Sequence, residues 1–222
     1  MNYLFDGISL QNGRQSNMDS LLLNSRRIAG KNTVLAVVCD GVGSLAEGAF
    51  ASGTAVVMIG EWYNKLTSTE RIGLVMRDAI LDINSSIVAE AKKTNADTAS
   101  TLSAILLVEN DFYIIHIGDS RVYSCDDDGL KLHTRDDVTG TGKLTGYIGR
   151  NEQILLQYSE GRADGKTFLV CSDGLYKRMD ESLMASGMKT WSKRSKKDTI
   201  KSLTQHVIIN GEQDNITLAI LR

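Results

Sequence analysis

Proline is absent from all 222 residues, where average usage of about 5% would supply several. That absence excludes Pro-rich linkers as joints between domains. Cysteine is scarce: Cys39, Cys125 and Cys171 are odd in number, far apart, and form no Cys-x-x-Cys pair. Neither a disulfide framework nor a thiolate zinc site fits that usage. Cys39 and Cys171 lie inside apolar runs and read as small core side chains. The three histidines are dispersed, without the His-x-His or His-Glu-x-x-His spacing of a histidine-rich metal site. No apolar run approaches the roughly 18 residues that span a bilayer. The start, "MNYLFDGISLQNGR", lacks the basic-then-apolar order of a secretory signal. A net charge of −2 gives no footprint for nucleic acid or a membrane surface. These absences predict a cytoplasmic protein with neither as partner.

What is present suits one large domain, residues 1–222. Hydrophobic residues make up 42% and charged residues 23%, enough apolar surface for a substantial core. Short apolar runs predict strands at Thr33–Cys39, Thr101–Val108, Phe112–Ile117, Arg121–Ser124, Ile154–Tyr158, Thr167–Cys171 and Ile216–Leu221. Asp128-Gly129 marks a hairpin, because both residues tolerate positive φ. A mostly apolar helix is expected over Glu47–Leu66. A second follows Thr67-x-x-Glu70, a capping-box spacing, with Ile72, Val75, Ala79, Ile83 and Ile87 as its buried stripe. A third covers Asp198–Ile209. Two helices between the first strand and a block of strands indicate α+β with antiparallel sheet.

Four acids stand at the lips of apolar strands. "VLAVVCDGVG" ends on Asp40-Gly41, "YIIHIGDS" on Gly118-Asp119, "TFLVCSDG" on Asp173-Gly174, and Asp214-Asn215 precedes "ITLAIL". Each alone is most simply a turn. Together they would repel one another at one edge of a core unless a cation neutralised them. Hard divalent ions, which take oxygen ligands and retain water, meet that need. Gly41 would then offer an open carbonyl and leave room for water.

The set resembles the metal-dependent type-2C Ser/Thr protein phosphatases, the PPM family, of bacterial type. "GRQSNMDS" is similar to the family's Arg-x-x-Asn-x-Asp signature and "CDGVGSLAEGAFAS" to its Asp-Gly-x-Gly segment. "ASTLSAILLVENDFYIIHIGDSRVY", "FLVCSDGLYKRM" and "DNITLAILR" follow in the family's order, from Gly13 to Arg222. The resemblance implies a four-layer α-β-β-α sandwich, two antiparallel sheets flanked by helix pairs. It also implies two Mn²⁺ or Mg²⁺ ions, with a third, weaker one in bacterial-type members. Asp40 would bridge the two ions, the Gly41 carbonyl would bind the second, and Asp173 and Asp214 would complete the first. Asp119 would serve the third ion, Arg14 the substrate phosphate. Asp19 and Asn215 would support them from behind. The implied reaction is hydrolysis of phosphoserine and phosphothreonine in proteins by a hydroxide held between the ions, opposing a Ser/Thr kinase, by a monomer.

Several positions depart from the family pattern. Met18 stands where many members carry Glu, and a thioether is a poor ligand for these ions. Val42 replaces a histidine and Asp137 another. The segment near 138–149, "VTGTGKLTGYIG", reads as a shortened flap. Met18 and that flap motivate an alternative, a family-like binding or scaffold domain without turnover; a third reading is hydrolysis of small phosphate esters. The basic stretch "KTWSKRSKKDTIK" reads as a solvated face or a docking patch for an acidic partner, and His116 as facing either core or site.

Overall fold

A computed structural model describes residues 3–42, 48–151, 153–192 and 195–222. In chain order the strands are β1 Phe5–Leu10, β2 Asp19–Ile28, β3 Lys31–Asp40, β4 Leu102–Val108, β5 Asp111–Ile117, β6 Arg121–Asp126, β7 Gly129–Leu132, β8 Gln157–Arg162, β9 Thr167–Cys171 and β10 Ile216–Leu221. The helices are α1 Gly48–Lys65, α2 Ile72–Thr94, the single turn α3 Asp173–Tyr176, α4 Glu181–Thr190 and α5 Lys196–Ile209. One sheet runs β1-β10-β9-β6-β7 and the other β2-β3-β4-β5-β8, every pairing antiparallel.

The strand pattern explains the layering. Successive side chains of a strand point to opposite faces. In β3, Val34, Ala36 and Val38 meet Phe168, Val170, Ala219 and Leu221 of the facing sheet. Leu35, Val37 and Cys39 point the other way, onto Ala51, Ala55, Ile59 and Tyr63 of α1 and Met76, Ile80 and Ile87 of α2. On the far side Met184, Met188, Trp191, Leu203 and Val207 cover Leu169, Cys171, Leu218 and Ile220. Both faces of the central strands are buried, so they read as continuous apolar runs without alternation. The expected four-layer α-β-β-α sandwich is the one observed.

Several expectations need correction. The spacing at Thr67 and Glu70 forms no capping box. Ser68 Oγ instead accepts from the Glu70 N–H at 3.1 Å, and Arg71, at φ +48, precedes a helix that begins at Ile72 without a side-chain cap. That start rotates the stripe onto Ile72, Met76, Ile80, Ile83 and Ile87, and Val75 is left exposed. The strand expected at Ile154–Tyr158 lies at Gln157–Arg162. Ile154 and Leu156 pack beneath the α1–α2 layer from an irregular segment, whereas the polar β8 can pair because its edge faces solvent. Strands β1 and β2 were not legible as apolar runs: one carries Asp6-Gly7 and the other is largely polar. Helix α4 also went unread, although Asp180 caps it by accepting from the Leu183 N–H at 2.9 Å. Trp191, inside the basic stretch, is buried; Lys193 and Arg194 of that stretch lie outside the described residues.

Phe168 sits at the centre of the sheet–sheet contact, fully buried, its ring centroid 5.1 Å from that of Phe112. Phe168→Ala is expected to lower the unfolding free energy by about 3–5 kcal/mol in urea denaturation. A loss below about 1 kcal/mol would mean that the two sheets close over the vacancy.

Candidate metal centre

The four strand-end acids come from both sheets and meet at one end of the sandwich. Asp40 closes β3 and Asp119 sits in the turn after β5, both in one sheet; Asp173 follows β9 and Asp214 precedes β10 in the other. With Arg14, Gly41 and Asn215 they line a cavity of about 170 Å³, walled also by Met18, Val42, Thr101 and Leu144. Asp19 is buried behind it, opposite Asp40 in the β2–β3 register. All eight residues singled out in the sequence therefore lie at or directly behind one cavity.

Backbone contacts explain the glycine beside three of the acids. A Cβ on Gly41 would stand 2.5 Å from the Gly48 carbonyl oxygen and 2.8 Å from that of Met18. A Cβ on Gly174 would collide with the Asn215 carbonyl. Only glycine lets α3 press against the turn that carries Asp214, and that approach brings Asp173 and Asp214 together. Gly118 has φ +109, a conformation that side chains disfavour, and its N–H donates to Asp137 Oδ2 at 3.0 Å. Asp137 thus holds the turn of Asp119. The end of β3 is fixed in the same manner. The Asp40 N–H donates to Thr101 Oγ1 at 3.0 Å, and its carbonyl accepts from the Thr101 N–H at 2.9 Å and Ser100 Oγ at 3.0 Å.

Residues 11–18 form the loop that carries Arg14, and asparagines knit it to the β10 side. Asn215 donates through Nδ2 to the carbonyls of Gln11 (2.8 Å) and Ser16 (3.0 Å) and accepts from the Met18 N–H (3.0 Å). Asn12 Nδ2 donates to the carbonyls of Glu212 and Asp214. Arg14 reaches Asp214 with a two-pronged grip, Nε to Oδ1 at 2.8 Å and Nη2 to Oδ2 at 2.6 Å. Lys177 makes an ion pair with Asp173. Neither Asn12 nor Lys177 was anticipated: an Asn in a loop carries no local signal, whereas Lys177 stands four residues after Asp173, a spacing that pairs side chains on a helical turn and could have found it.

The acids strain against one another. Burial, then Asp19, Asp173, Asp119 and Asp214 in turn, push the Asp40 carboxyl well above the usual carboxylate range. Burial likewise raises Asp19 to about 6, opposed by its hydrogen bond from Ser172 Oγ at 2.7 Å. Asp119 is pushed up to about 6 by burial and then by Asp173, with Lys177 pulling the other way. Arg14 holds Asp214 below its ordinary value. Among the described residues no three acid, thiol or imidazole side chains are drawn into a ready cation cage; Arg14 and Lys177 engage two of the four carboxylates. A donor set made only of carboxylate and carbonyl oxygens, crowded and half-desolvated, suits a hard divalent cation and no soft one.

His116 resolves as a structural residue. Its Nδ1 lies 2.8 Å from Ser103 Oγ and its Nε2 3.2 Å from the Arg135 carbonyl; in the neutral form of the ring Nε2–H donates to that carbonyl and Nδ1 accepts from Ser103. Burial lowers its pKa, consistent with that neutral form.

A carboxyl whose folded pKa lies above its unfolded value contributes stability that is present at low pH and lost as pH rises through the folded pKa. For Asp119 the loss runs from about 4, the unfolded value, to about 6. The buried His116 and the half-buried His133 have lowered values and act in the opposite direction, so the contribution of Asp119 is read as a difference. In metal-free buffer Asp119→Asn is expected to gain Tm relative to the parent as pH rises from about 4 to about 7. A difference that does not change with pH in thermal unfolding would contradict this account of the cavity.

The family model described as Protein phosphatase 2C matches residues 9–207. The serine/threonine phosphatase stp of Listeria welshimeri is 28% identical over 215 residues, covering 86% of this chain and 84% of its own length. Among solved structures, the serine/threonine phosphatase Stp1 from Staphylococcus aureus superposes with a TM-score of 0.85 at 20% identity, over 99% of this chain and 93% of that one. The catalytic domain of the serine/threonine protein phosphatase PstP, solved in complex with two manganese ions, gives a TM-score of 0.81 at 23% identity, over 99% and 97% of the two chains. Such identities speak for the fold, and the match across residues 9–207 for descent. The chain belongs to the protein phosphatase 2C family.

Proposed function

We propose that this chain hydrolyses phosphoserine and phosphothreonine in proteins, using two divalent cations, Mn²⁺ or Mg²⁺, at the strand-end cavity. The observation that carries the proposal is the state of Asp40, buried among Asp19, Asp119, Asp173 and Asp214. Its crowding stabilises nothing in the folded chain and is relieved by positive charge. Asp40 and the Gly41 carbonyl, on one sheet, and Asp173 and Asp214, on the other, would hold the ions. When bound, such a pair supplies a nucleophile from water near neutral pH and neutralises charge on the phosphoryl group.

The remaining roles belong to the chain's own side chains. Arg14 projects from a loop with half its side chain exposed, and its planar guanidinium suits two phosphate oxygens as well as it suits Asp214. Once Asp214 turns to a cation, Arg14 is released to orient the substrate phosphate. Asn215 and Asn12 keep the Arg14 loop in register with Asp214. Asp19, bonded by Ser172, backs Asp40 and keeps its carboxylate turned to the cavity. Val42 and Leu144 leave the cavity mouth without a titratable acid at those positions.

The substrates on this reading are phosphorylated proteins, set against a Ser/Thr kinase, and the enzyme is a cytoplasmic monomer formed by residues 1–222. No helix among the described residues is long and apolar enough to cross a membrane. The scaffold alternative has Met18 and Leu144 at the cavity in its favour, yet all four strand-end acids are there too, so turnover is the better-supported reading.

Replacing Asp40, Asp173 or Asp214 by Ala is expected to cut Mn²⁺-dependent hydrolysis of an aryl phosphate and of a phosphothreonine peptide by about 100-fold or more. Arg14→Ala should act mainly on KM for the peptide. Unchanged turnover in all three Asp variants would remove the proposal, and tight peptide binding without cleavage by the parent protein would favour the scaffold.

A further inference from the structure

Lys177 occupies an unusual place in this cavity. It follows α3 directly, four residues beyond Asp173, and a helical turn brings side chains at that spacing onto one face. Its ammonium pairs with the Asp173 carboxylate. The turn that carries it is clamped to the Asp119 segment. Tyr176 Oη donates to the Asp119 carbonyl at 2.9 Å. The guanidinium of Arg121 lies 3.7 Å from the Tyr176 ring centroid and grips Asp136 through two bonds of 3.0 and 2.8 Å. Lys177 thus follows directly on a residue bonded to the Asp119 backbone, and its charge acts on Asp119 and Asp40 as well as on Asp173.

We propose that Lys177 is a tethered cation that takes the Asp119–Asp173 edge of the cavity, so that this chain holds two divalent ions and refuses a third there. The proposal rests on the two-ion reading above. Two divalent ions match the charge of Asp40, Asp119, Asp173 and Asp214, and the ammonium offsets that of Asp19 behind them, which leaves no net negative charge to draw a third ion. A further divalent ion would meet repulsion from Lys177 and would have to break its pair with Asp173. Unlike Arg14, which sits on a loop and is wanted by the substrate, Lys177 is bound to its place by the helical turn. Asp119 then serves as a partner for Lys177, which replaces the third-ion role expected of it from the family resemblance.

The test counts Mn²⁺ ions per chain by titration calorimetry and by the paramagnetic resonance of free Mn²⁺. The side chain is half-exposed, so Lys177→Asn and Lys177→Met should fold, as thermal unfolding will verify. The parent and Lys177→Arg are expected to take up two ions. Lys177→Asn and Lys177→Met are expected to take a third, at least about tenfold more tightly than any further ion binds the parent. Adding Asp119→Asn to Lys177→Asn should abolish that third ion. Three ions in the parent, or two in every variant, would overturn the role of Lys177 and leave the two-ion reading standing. No Mn²⁺ uptake by the parent would overturn both.

Discussion

Repulsion among buried carboxylates is the constraint around which this molecule is arranged. A fold that gathers Asp19, Asp40, Asp119, Asp173 and Asp214 at one end of a sandwich places negative charge where desolvation already disfavours it. Nothing in the hydrophobic layers compensates for that. The chain's own answers are partial: Arg14 grips Asp214, Lys177 grips Asp173, and Ser172 donates to Asp19. Asp40 makes no ion pair among the described residues, and Thr101 and Ser100 hold only its backbone. On the proposed reading an added cation would complete this site, and stability given up at the lip of the core would become affinity for the ion.

Holding those charges together requires rigid backbone, and the sandwich supplies it from two sides. Each sheet contributes two of the four strand-end acids, so the site exists only where the sheets meet. The meeting is close because glycine permits it: Gly174 lets α3 touch the Asn215 carbonyl, and Gly41 lets β3 end against the start of α1. Behind the acids lies a shell of neutral hydrogen bonds, Thr101 to Asp40 and to Ser120, and His116 to Ser103. These satisfy buried polar groups without adding charge, which leaves the positive charge to come from the cavity side.

Much of this was legible in the chain. Asp40, Asp119, Asp173 and Asp214 announced themselves because a charged residue at the end of an apolar run is expensive and local. The strands β4, β9 and β10 were legible for the same reason, since their composition already matches their burial; helix α1 was legible as a helix, but it is less buried than its apolar composition suggests, with Phe50 and Val57 exposed. The shift of β8 and the re-phased stripe of α2 were not, because pairing partners decided them: Val75 fits the helical period as well as Met76, and only the sheet beneath selects the face. Asn12 acts on Asp214, 202 residues away in sequence, and no local pattern encodes such a pairing.

The sequence by itself determined the central apolar strands, which acids stand at their ends and in what order, because hydrophobic periodicity and the cost of a charge beside it are properties of short segments. The tertiary structure alone decided that the four acids converge, that glycine serves backbone contact between segments far apart in the chain, and that the turn before Lys177 is bonded to the Asp119 backbone. Those outcomes depend on how two sheets stack and how a one-turn helix is clamped against a distant turn, and such long-range contacts are set only when the whole core closes.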